Sequence, residues 1–479
     1  MKKQIKILSA CCLLVGIFFL SGCGTASDPY KVNLEVWGLY DDSDAFAEII
    51  AKYKEINPHI GEIKYRKFTT QTYKNDLLEA MASGQGPDIF LIHNDWLPSF
   101  KNKLESAPAE ITNTQELVSN FPDVVGNDFV DGGKIYAYPL SVDSLALFYN
   151  KDMFNAAGVS RPPLSWSEFD QAVMKTKSIA EDGSISRAGT AMGTAKNINR
   201  ATDIFVALMM QNGVEMTDKN KTNVTFDRGV VDEKGNSFLG GVNALGYYTN
   251  FAKLTVDGTK PNALYTWNSR AGDSVEMFTQ GKVGMMINYS WQIENIKNSN
   301  PKLNYGISPL PQIHQNNQAS YANYWAYGVA KNKVSPTVSN GQQVAAVPNA
   351  VRVFEAWEFL RYLTVNNKGI VKLTNAVSKN SMDFSLGNFD PAAKYLEKTN
   401  KPAARRDLIE KQKNDPLLSA FAAENLIAKT WYQVDPDRNE AVLTEAIDSV
   451  NRGAANPGEA LNLAATRIKA IMQEKPVGN

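Results

Sequence analysis

Hydrophobic positions in the first part of the chain follow two different spacings. Residues 34–37 and 62–68 have the pattern of strands, and the uninterrupted apolar run at 89–92 is typical of a buried strand. Residues 46–53 and 73–83 instead repeat apolar side chains at helical spacing. Because strands that alternate with helices are typical of α/β proteins, this region predicts a parallel sheet covered by helices.

The same mixture of elements continues toward the end of the chain. Further strand patterns lie at residues 135–139, 145–149, 283–287 and 324–329. Helical patterns separate them, and beyond residue 405 the pattern is almost wholly helical. This is too much α/β sequence for one sheet, and no obvious linker interrupts it. We therefore predict two α/β lobes that the chain crosses more than once, with a helical C-terminus.

The N-terminus has the layout of an export signal. Three lysines precede an apolar run of 14 residues that ends at Leu20-Ser21-Gly22-Cys23. A helix that spans a bilayer needs about 20 residues, so we expect residues 1–22 to be removed as a signal peptide rather than kept as a signal anchor. Its end resembles the bacterial lipobox. That resemblance implies a lipid on Cys23, a tether over 23–30, and an extracytoplasmic protein anchored to the cell membrane.

Composition restricts the classes of function. The chain has 479 residues, 43% of them hydrophobic, which is enough for two or three compact units. Without residues 1–22 it carries 47 basic and 50 acidic residues, and the lack of a basic excess argues against nucleic acid as a partner. Cys23 would then be the last remaining cysteine, and the histidines lie far apart in sequence. We therefore expect no cofactor, no metal and no catalytic thiol. The histidines, which we interpret as ordinary core or surface residues, are His59, His93 and His314.

Five segments resemble, in order, those of the extracellular solute-binding proteins of ABC importers, most closely the carbohydrate-binding group that includes maltose-binding protein. They are residues 36–58, 84–90 (GQGPDIF), 138–169 (beginning YPLSVDSLALFYNKD), 278–286 (FTQGKVGMM) and 305–329 (ending WAYGV). The resemblance implies a two-lobed, periplasmic-binding-protein-like (Venus-flytrap) fold. In that fold the lobes close about a hinge on a solute, which is then presented to a membrane permease.

The resemblance also divides the chain and implies its partners. The N-terminal lobe would comprise residues 31–142 plus about 289–335, and the C-terminal lobe residues 143–288 plus about 336–479. We expect a monomeric binding protein without catalytic activity. Its ligand would be a sugar or oligosaccharide, and its protein partners the permease subunits of an ABC transporter.

In an open α/β sheet, ligands bind beyond the carboxyl ends of strands, and this rule selects three loops. Residues 39–43, 93–96 and 288–291 follow predicted strands and are rich in carboxylates, amides and aromatic rings. That mixture suits a sugar, because polar side chains pair with its hydroxyl groups while rings cover its apolar faces. Together with the family resemblance, these loops give as candidate ligand-binding residues Tyr40, Asp41, Asn94, Asp95, Asp143, Ser144, Arg200, Trp267, Tyr289, Trp291, Tyr324 and Trp325.

The resemblance supports these candidates unequally. The residues that align with sugar-contacting positions of maltose-binding protein are Asp41, Asp95, Asp143 and Trp291. Asp143 is shorter than the glutamate found there, and Ile92 stands in place of a stacking tryptophan, so the same ligand should not be assumed. An insertion at 197–199 leaves Arg200 only loosely placed near the cleft. Trp267, Tyr324 and Trp325 match regions that often line the site, with weaker support.

Several nearby residues have a purely structural explanation. Residues 42–43 fit a helix cap as well as they fit a solute contact. Packing against the lobe and contact with solute explain Trp96 equally well. We assign Trp37 and Trp166 to the core, the latter after a predicted capping box that begins at Ser165. The aspartate-rich segment 435–439 predicts a helix start rather than a calcium loop.

Two other functions stay open at this point. An exported glycan hydrolase would use two carboxylates at about 5–5.5 or 6.5–9.5 Å, a separation that the sequence does not fix. Its candidates are Asp41, Asp95, Asp143 and Asp273. The acidic loop 41–44 would instead suit a cationic or other non-sugar solute. A phosphorylated solute is disfavoured, because the candidate loops contain neither a glycine-rich anion nest nor a basic cluster.

Overall fold

The computed structural model describes residues 30–474, apart from residues 233, 257, 335–337, 340–341 and 344–345. The signal peptide, the lipidation residue Cys23 and nearly all of the tether proposed above lie outside the described residues. Within the described ranges, no helix combines the length and the apolar character needed to cross a bilayer.

Helices and strands alternate along most of the described chain. The helices α1 to α17 are Asp44–Ile56, Tyr73–Ala82, Leu97–Phe100, Thr114–Asn120, Asp123–Phe129, Lys151–Ala156, Trp166–Thr176, Ala201–Gln211, Gly240–Asn250, Ser274–Thr279, Gln292–Ser299, Asn349–Thr364, Pro391–Thr399, Arg406–Gln412, Ser419–Asn425, Pro436–Asn451 and Pro457–Gln473. The strands β1 to β21 are Val32–Leu39, Ile60–Phe68, Ile89–His93, Leu104–Glu105, Val130–Asp131, Lys134–Ile135, Ala137–Tyr138, Ala146–Asn150, Ser178–Ile179, Ile185–Thr190, Val230–Val231, Ser237–Phe238, Val283–Asn288, Tyr305–Ser308, Ser320–Tyr321, Trp325–Ala330, Val338–Ser339, Gln342–Gln343, Ile370–Thr374, Ser381–Ser385 and Ala428–Lys429.

The sheet of the first lobe has the strand order β2-β1-β3-β16-β4, and β7 also pairs with β16. Strands β2, β1 and β3 are parallel, as the alternation of strand and helix patterns predicts. Strand β16 returns from the second lobe and runs antiparallel to β3, with Trp325 opposite His93. The sheet is therefore mixed rather than wholly parallel, and the start of β16 lies beside the loop that follows β3.

The sheet of the second lobe has the strand order β14-β8-β13-β10-β9. Strand β13 is buried along its whole length and runs parallel to β10 but antiparallel to β8. Its last residue, Asn288, pairs with Ala146 at the start of β8. The loop after β13 therefore lies where the chain enters this lobe.

Each lobe has its own hydrophobic core, which confirms the two-lobed prediction. Buried residues of the first core come mainly from 32–142, 322–330 and 351–409, and those of the second from 145–321 and 418–468. These ranges differ from the expected lobe boundaries. Residues 289–321 contribute Tyr289, Ile296 and Leu310 to the second core, because the chain leaves that lobe only after β15. Helices α12 to α14 lie in the first lobe, where α12 packs on β1 and β16.

The chain segments that connect the lobes lie side by side, and we call residues 142–144, 321–323 and 425–429 the hinge. The Asn323 N–H donates to the Asp143 carbonyl at 2.9 Å. The fully buried amide of Asn425 accepts from Ser144 Oγ at 2.7 Å and donates to the Val142 carbonyl at 2.6 Å. Strands β15 and β21 pair beside them. The polar groups of the hinge thus bond mainly to one another.

The predicted helix start at Ser165 is only half of a capping box. Ser165 accepts from the Glu168 N–H at 3.3 Å, but the Glu168 carboxylate accepts from the Leu164 N–H at 2.9 Å instead of returning a bond to Ser165. Trp166 is buried and donates from Nε1 to Gln211 at 2.7 Å, which confirms its place in the core. Trp37 is likewise buried in its lobe.

Candidate ligand-binding cleft

A cavity of about 440 Å³ lies between the lobes, and we call it the near cavity. Its volume falls in the range of small-molecule sites. The first lobe lines it with Tyr40, Thr70, Gln71, Tyr73, Lys74, Asn75, His93, Asn94, Asp95, Trp96 and Trp325; the hinge with Tyr321, Ala322 and Asn323; and the second lobe with Arg200, Thr202, Asp203, Val206, Trp431, Gln433, Pro436, Asp437, Glu440 and Leu443. Both lobes therefore contribute aromatic and polar side chains.

Trp325 is the centre of an aromatic cluster on the first-lobe wall. Its half-buried ring makes edge contacts with His93 and Trp96, at centroid distances of 5.0 and 5.1 Å. The ring of Tyr40 lies 6.3 Å away at 65°. Pairing of β16 with β3 produces this cluster, because it sets Trp325 opposite His93. Tilted rings of this kind leave faces on which an apolar patch of a ligand can stack.

A row of polar groups accompanies the rings. His93 Nδ1 lies 2.6 Å from Asp95 Oδ1, and His93 Nε2 lies 3.0 Å from Asn323 Oδ1. Burial alone would lower the pKa of His93, but the Asp95 carboxylate and the hydrogen bonds at both ring nitrogens outweigh it and raise the pKa above its usual value. Asp95 Oδ2 has no hydrogen-bond partner among the described residues, and the buried Asn94 side chain accepts from the Tyr324 N–H at 3.1 Å. An acceptor thus remains available in the cleft.

Arg200 provides a donor from the opposite wall. It precedes α8 in the left-handed region, with φ of 66°, a conformation that costs a non-glycine residue about 1–2 kcal/mol. Its guanidinium lies 5.4 Å from the centroid of the Trp291 ring, while its buried Nε has no hydrogen-bond partner within the described part of the chain. A strained backbone and an unpaired buried donor are together typical of a residue that a ligand completes.

Asp203 lies close to Arg200, within the first turn of α8. Its carboxylate accepts from Tyr289 Oη at 2.9 Å. Burial raises the pKa of Asp203 to about 6, against the opposing effects of Arg200 and of the bond from Tyr289. The group is mainly ionised at neutral pH, so the second-lobe wall offers an acceptor beside its donor.

A second cavity of about 730 Å³ continues from the near cavity, and we call it the far cavity. The two share the wall residues Asn94, Asp95, Trp431 and Gln433. The rest of its lining comes from α3, residue 101, α5 and β5 of the first lobe, from the end of α8 and residues 213–221 and 317 of the second, and from residues 429–432. The shared walls place the two cavities side by side in the cleft between the lobes.

Among the sequence candidates, the structure brings Tyr40, Asn94, Asp95, Arg200 and Trp325 together in the near cavity. The loop at 93–96 contributes all of its residues, so His93 lies in the cavity wall, although sequence reasoning interpreted it as an ordinary residue. Both explanations of Trp96 hold. Its ring lines the cavity and also stacks on Phe100, with the ring centroids 4.9 Å apart.

Asp41 and Tyr324 line neither cavity. Asp41 accepts from Lys401 Nζ at 2.6 Å and from Tyr395 Oη at 2.7 Å, so the protein itself occupies its carboxylate. Tyr324 is buried and donates from Oη to Asp128 at 2.7 Å. Both side chains thus form bonds within the protein on either side of the aromatic cluster.

Asp143 and Ser144 lie in the hinge. The Asp143 carboxylate accepts from the Ser290 N–H at 3.0 Å, from Ser290 Oγ at 2.6 Å and from the Ser144 N–H at 3.0 Å. Burial raises the pKa of Asp143 to about 7, although these bonds oppose the shift. The carboxylate therefore ties the entry of the second lobe to the loop after β13.

The aromatic candidates of the second lobe lie behind its wall. Trp267 is fully buried and donates from Nε1 to Asn197 at 3.2 Å. Tyr289 is also fully buried, and Trp291 stacks on it at 4.4 Å. The Arg200 guanidinium lies over the Trp291 ring. None of the three rings lines a cavity, and those of Tyr289 and Trp291 contact the cavity residues Asp203 and Arg200.

Sequence reasoning missed most of the second-lobe wall. The missed residues include Thr202, Asp203, Trp431, Gln433, Asp437 and Glu440. The sequence indicated Asp203 only weakly, as a carboxylate in a helix whose other residues are buried. The first turns of α16 gave none, since an amphipathic pattern there only predicts a helix that packs on its lobe.

The carboxylates that the sequence offers to a hydrolase do not line the cleft together. Among the described residues, only Asp95 of the four lines the cleft. Asp273 caps α10 by accepting from the N–H groups of Val275 and Glu276. The described part of the chain also has no group of three or more His, Cys, Asp and Glu side chains arranged to hold a metal ion.

Residues 38–366 match the family model described as bacterial extracellular solute-binding protein. The maltodextrin-binding protein of Bacillus subtilis is 24% identical over 320 residues, which cover 65% of this chain and 68% of that relative. The melibiose/raffinose/stachyose-binding protein of the same organism is 22% identical over 367 residues, covering 74% and 80%.

Solved structures show the same architecture. The cyclic α-maltosyl-1,6-maltose binding protein from Arthrobacter globiformis superposes with a TM-score of 0.67 and 17% identity, covering 92% of this chain and 99% of that one. At this identity the likeness concerns the fold alone, which in both proteins has two lobes and a cleft between them.

Proposed function

We propose that this chain, which belongs to the family of bacterial extracellular solute-binding proteins, is the receptor of an ABC importer and binds a sugar or oligosaccharide between its lobes. Family membership agrees with the resemblance found in the sequence motifs, and the family is one of binding proteins rather than enzymes. The proposal adds a lipid anchor at Cys23 and delivery of the solute to a membrane permease. The lipobox-like segment supports the first addition, and the family supports the second.

The observation that carries the proposal is the chemistry of the near cavity. The rings of Trp325 and Tyr40 lie beside polar groups that have unused hydrogen-bonding capacity, above all Arg200 Nε and Asp95 Oδ2. A sugar presents both an apolar face and dense hydroxyl groups, which are donors and acceptors at once. It would cover the rings and also pair with both groups, of which the buried Arg200 Nε costs about 1–3 kcal/mol while it remains without a partner.

A cationic solute has less support. Two of the three carboxylates of the acidic loop are already paired, Asp41 with Lys401 at 2.6 Å and Asp42 with Lys67 at 2.9 Å. By contrast, the relatives in Bacillus subtilis are named as binding proteins for sugars. We therefore keep the sugar as the solute and assign Tyr40, Asn94, Asp95, Arg200 and Trp325 to its contacts.

A contact across the cleft supports binding by closure. Lys74 Nζ on α2 of the first lobe lies 3.6 Å from Asp437 Oδ2 on α16 of the second. Closure of this kind buries a solute between rigid lobes and gives the permease a shape that differs from the open form. In this proposal Asp143 and Ser144 fix the hinge, and Tyr289 and Trp291 hold Arg200 in place.

The test is a calorimetric titration of the purified protein with a panel of neutral mono- and oligosaccharides. We expect binding of at least one sugar class, and a loss of about ten-fold or more in affinity in Trp325→Ala. The sugar should be recovered unchanged by chromatography after prolonged incubation.

The control is Phe238→Ala, which removes a partly exposed ring that lines neither cavity. It should bind as the unmodified protein does. Failure of every sugar to bind, or an unchanged affinity in Trp325→Ala, would refute the proposal. Conversion of the sugar would instead favour the hydrolase.

A further inference from the structure

His93 lies between a residue of the cleft wall and a residue of the hinge. Its Nδ1 lies 2.6 Å from Asp95 Oδ1, and its Nε2 lies 3.0 Å from Asn323 Oδ1. Asp95 lines the near cavity, while Asn323 belongs to the hinge and donates its backbone N–H to the Asp143 carbonyl at 2.9 Å. The imidazole ring therefore joins the wall that would contact a solute to the segment about which the lobes would close.

Both atoms that face the ring nitrogens are oxygen acceptors. An ionised carboxylate and an amide oxygen accept hydrogen bonds and have no proton to donate. A neutral imidazole carries a proton on one nitrogen and a lone pair on the other, so either tautomer would turn its lone pair toward one of these oxygens. Only the imidazolium form of His93 donates to Asp95 and to Asn323 at once.

The charged groups around His93 favour that form. Burial and the Arg200 guanidinium would lower the pKa of His93, but the Asp95 carboxylate and the bonds at both ring nitrogens outweigh them and raise it. Two further carboxyl groups face the ring from other elements, Asp203 on α8 and Asp128 on α5, and a positive charge on the ring lowers the pKa of each. The electrostatics thus agree with the geometry of the two bonds.

We infer that His93 is a positioning residue held as an imidazolium, and that its proton links the solute contact at Asp95 to the hinge at Asn323. This inference rests on the proposed function and adds a proton to its binding equilibrium. With the proton in place, Asp95 Oδ1 is fixed on the ring and Oδ2 is left to accept from a sugar hydroxyl group.

Loss of the proton breaks one of the two bonds of the ring. The carboxylate of Asp95 then loses its fixed orientation, or the side chain of Asn323 is released from the first-lobe wall. Both changes act on sugar binding, the first through a contact and the second through closure. Sugar affinity should therefore be highest where His93 is protonated and should fall as the pH rises.

The first test reads the protonation state of His93 directly. Nitrogen NMR of isotope-labelled histidines follows both ring nitrogens during a pH titration, and the His93 signals are those missing in His93→Gln. We expect both nitrogens to be protonated up to a midpoint above that of the exposed His314. Asn323→Leu keeps the size of the side chain but removes its acceptor, so the midpoint of His93 should move to lower pH.

The same titration detects the opposite arrangement. If the Asn323 amide instead donates to a neutral ring, Asn323→Leu removes a bond to the neutral form, and the midpoint moves to higher pH. A midpoint that rises in this variant, or a His93 ring that is already neutral where His314 is still protonated, would overturn the inference.

The second test is calorimetry with maltotriose and raffinose at about pH 6 and about pH 9. We expect affinity to fall about five-fold or more over this range, as for the loss of one hydrogen bond. Three buried carboxyl groups also titrate nearby, since burial raises the pKa of Asp128 and Asp143 to about 7 and that of Asp203 to about 6. The comparison that separates them is His93→Gln, in which affinity should no longer fall with pH.

The control variant is His314→Gln, which replaces an exposed histidine that lines neither cavity and should keep the pH dependence. A pH dependence that survives in His93→Gln would belong to the carboxyl groups and would overturn the inference, as would an affinity in the unmodified protein that does not change with pH. Both results leave the proposed function standing. Absence of binding by maltotriose and raffinose at both pH values, together with failure of the neutral panel, would refute the proposed function and with it the inference.

Discussion

Arg200 in the near cavity and Asn425 in the hinge are both polar side chains removed from most solvent, yet their surroundings are opposite. Arg200 Nε has no hydrogen-bond partner in the described chain, and its backbone is strained. The Asn425 amide accepts from Ser144 and donates to the carbonyls of Val142 and Ala403, at 2.6 and 3.3 Å. One region thus keeps hydrogen-bonding capacity for a partner from outside, and the other uses it within the protein.

This difference predicts where substitutions will act. Removing a saturated group from the hinge leaves its former partners buried and unpaired, which lowers the stability of the folded state. Removing an unsatisfied group from the near cavity relieves a cost, so stability should change little while ligand affinity falls. Whether a buried polar side chain stabilises the fold or binds a ligand depends on whether other groups of the protein already fill its hydrogen bonds. The residue type alone does not show this.

The largest effect is expected for Asn425→Ala. Three polar groups would lose a partner, on Ser144 and Val142 in the hinge and on Ala403 beside it. At about 1–3 kcal/mol for each such group, we expect the free energy of unfolding to fall by about 4 kcal/mol. Urea unfolding followed by circular dichroism measures this change. Asn298→Ala, which removes an exposed side chain bonded to Glu294 on α11, is the control and should cost less than about 1 kcal/mol. A similar small cost for both would remove the distinction between hinge and cleft.

Glu424 lies next to the hinge, yet one oxygen of its buried carboxyl group lacks a hydrogen-bond partner among the described residues. It therefore tests the comparison between satisfied and unsatisfied groups. Its Oε1 accepts from the Leu310 N–H at 3.2 Å, while its buried Oε2 has no partner among the described residues. Burial raises the pKa of Glu424 from 4.5 to about 8. Between those two values the unfolded chain ionises while the folded protein keeps its proton, so this residue lowers stability as pH rises.

We therefore expect Glu424→Gln to gain stability relative to the unmodified protein as pH increases. Each pH unit of the window contributes up to about 1.4 kcal/mol, and between pH 5 and 8 the difference in unfolding free energy should grow by about 3.5 kcal/mol. Urea unfolding at several pH values measures it, with the exposed Glu294→Gln as control. Parallel stability curves for Glu424→Gln and the unmodified protein would mean that this carboxylate is ionised in the folded state.

Much of the fold could be predicted from the sequence because the relevant signals are local. The strand patterns at 34–37 and 89–92 lie within β1 and β3, and the helical pattern at 46–53 lies within α1. Lobe membership was not local. Residues 289–335 were expected in the first lobe, yet Tyr289 and Leu310 lie in the second core, since only long-range packing decides which core an apolar segment joins.

The candidate site shows the same contrast between residues that local sequence predicts and residues that only long-range packing brings in. The loop at 93–96 was predictable, because it follows a buried strand and a polar side chain there needs a partner. Asp203 and Glu440 were not, because each reaches the cavity only when the second lobe docks beside the first. Asp143 shows the converse, since its sequence context is that of a ligand-binding carboxylate while Ser290 and Ser144 occupy its oxygens.

A smaller effect, on affinity rather than stability, is expected for Arg200→Gly. Loss of the guanidinium should weaken sugar binding by about 2 kcal/mol, or roughly thirty-fold. Because glycine accepts φ of 66° without strain, the unfolding free energy should stay within about 1 kcal/mol of the original. Lys368→Gly makes the same backbone change at an exposed position with φ of 50°, and it should leave affinity intact. A loss of stability without a loss of affinity would place Arg200 with the hinge residues.

The smallest effect is expected for Trp291→Ala. Its ring supports the Arg200 guanidinium from 5.4 Å and lines neither cavity, so its removal should weaken binding by only about 0.5–1 kcal/mol, through poorer placement of Arg200. Calorimetry on both single variants and on the double variant with Arg200→Gly separates support from contact. If Trp291 acts through Arg200, its removal costs nothing further once the guanidinium is gone. A cost that persists in the Arg200→Gly background would mean that Trp291 touches the sugar itself, as the alignment with maltose-binding protein implies. The second-lobe wall of the occupied cleft would then include the loop after β13.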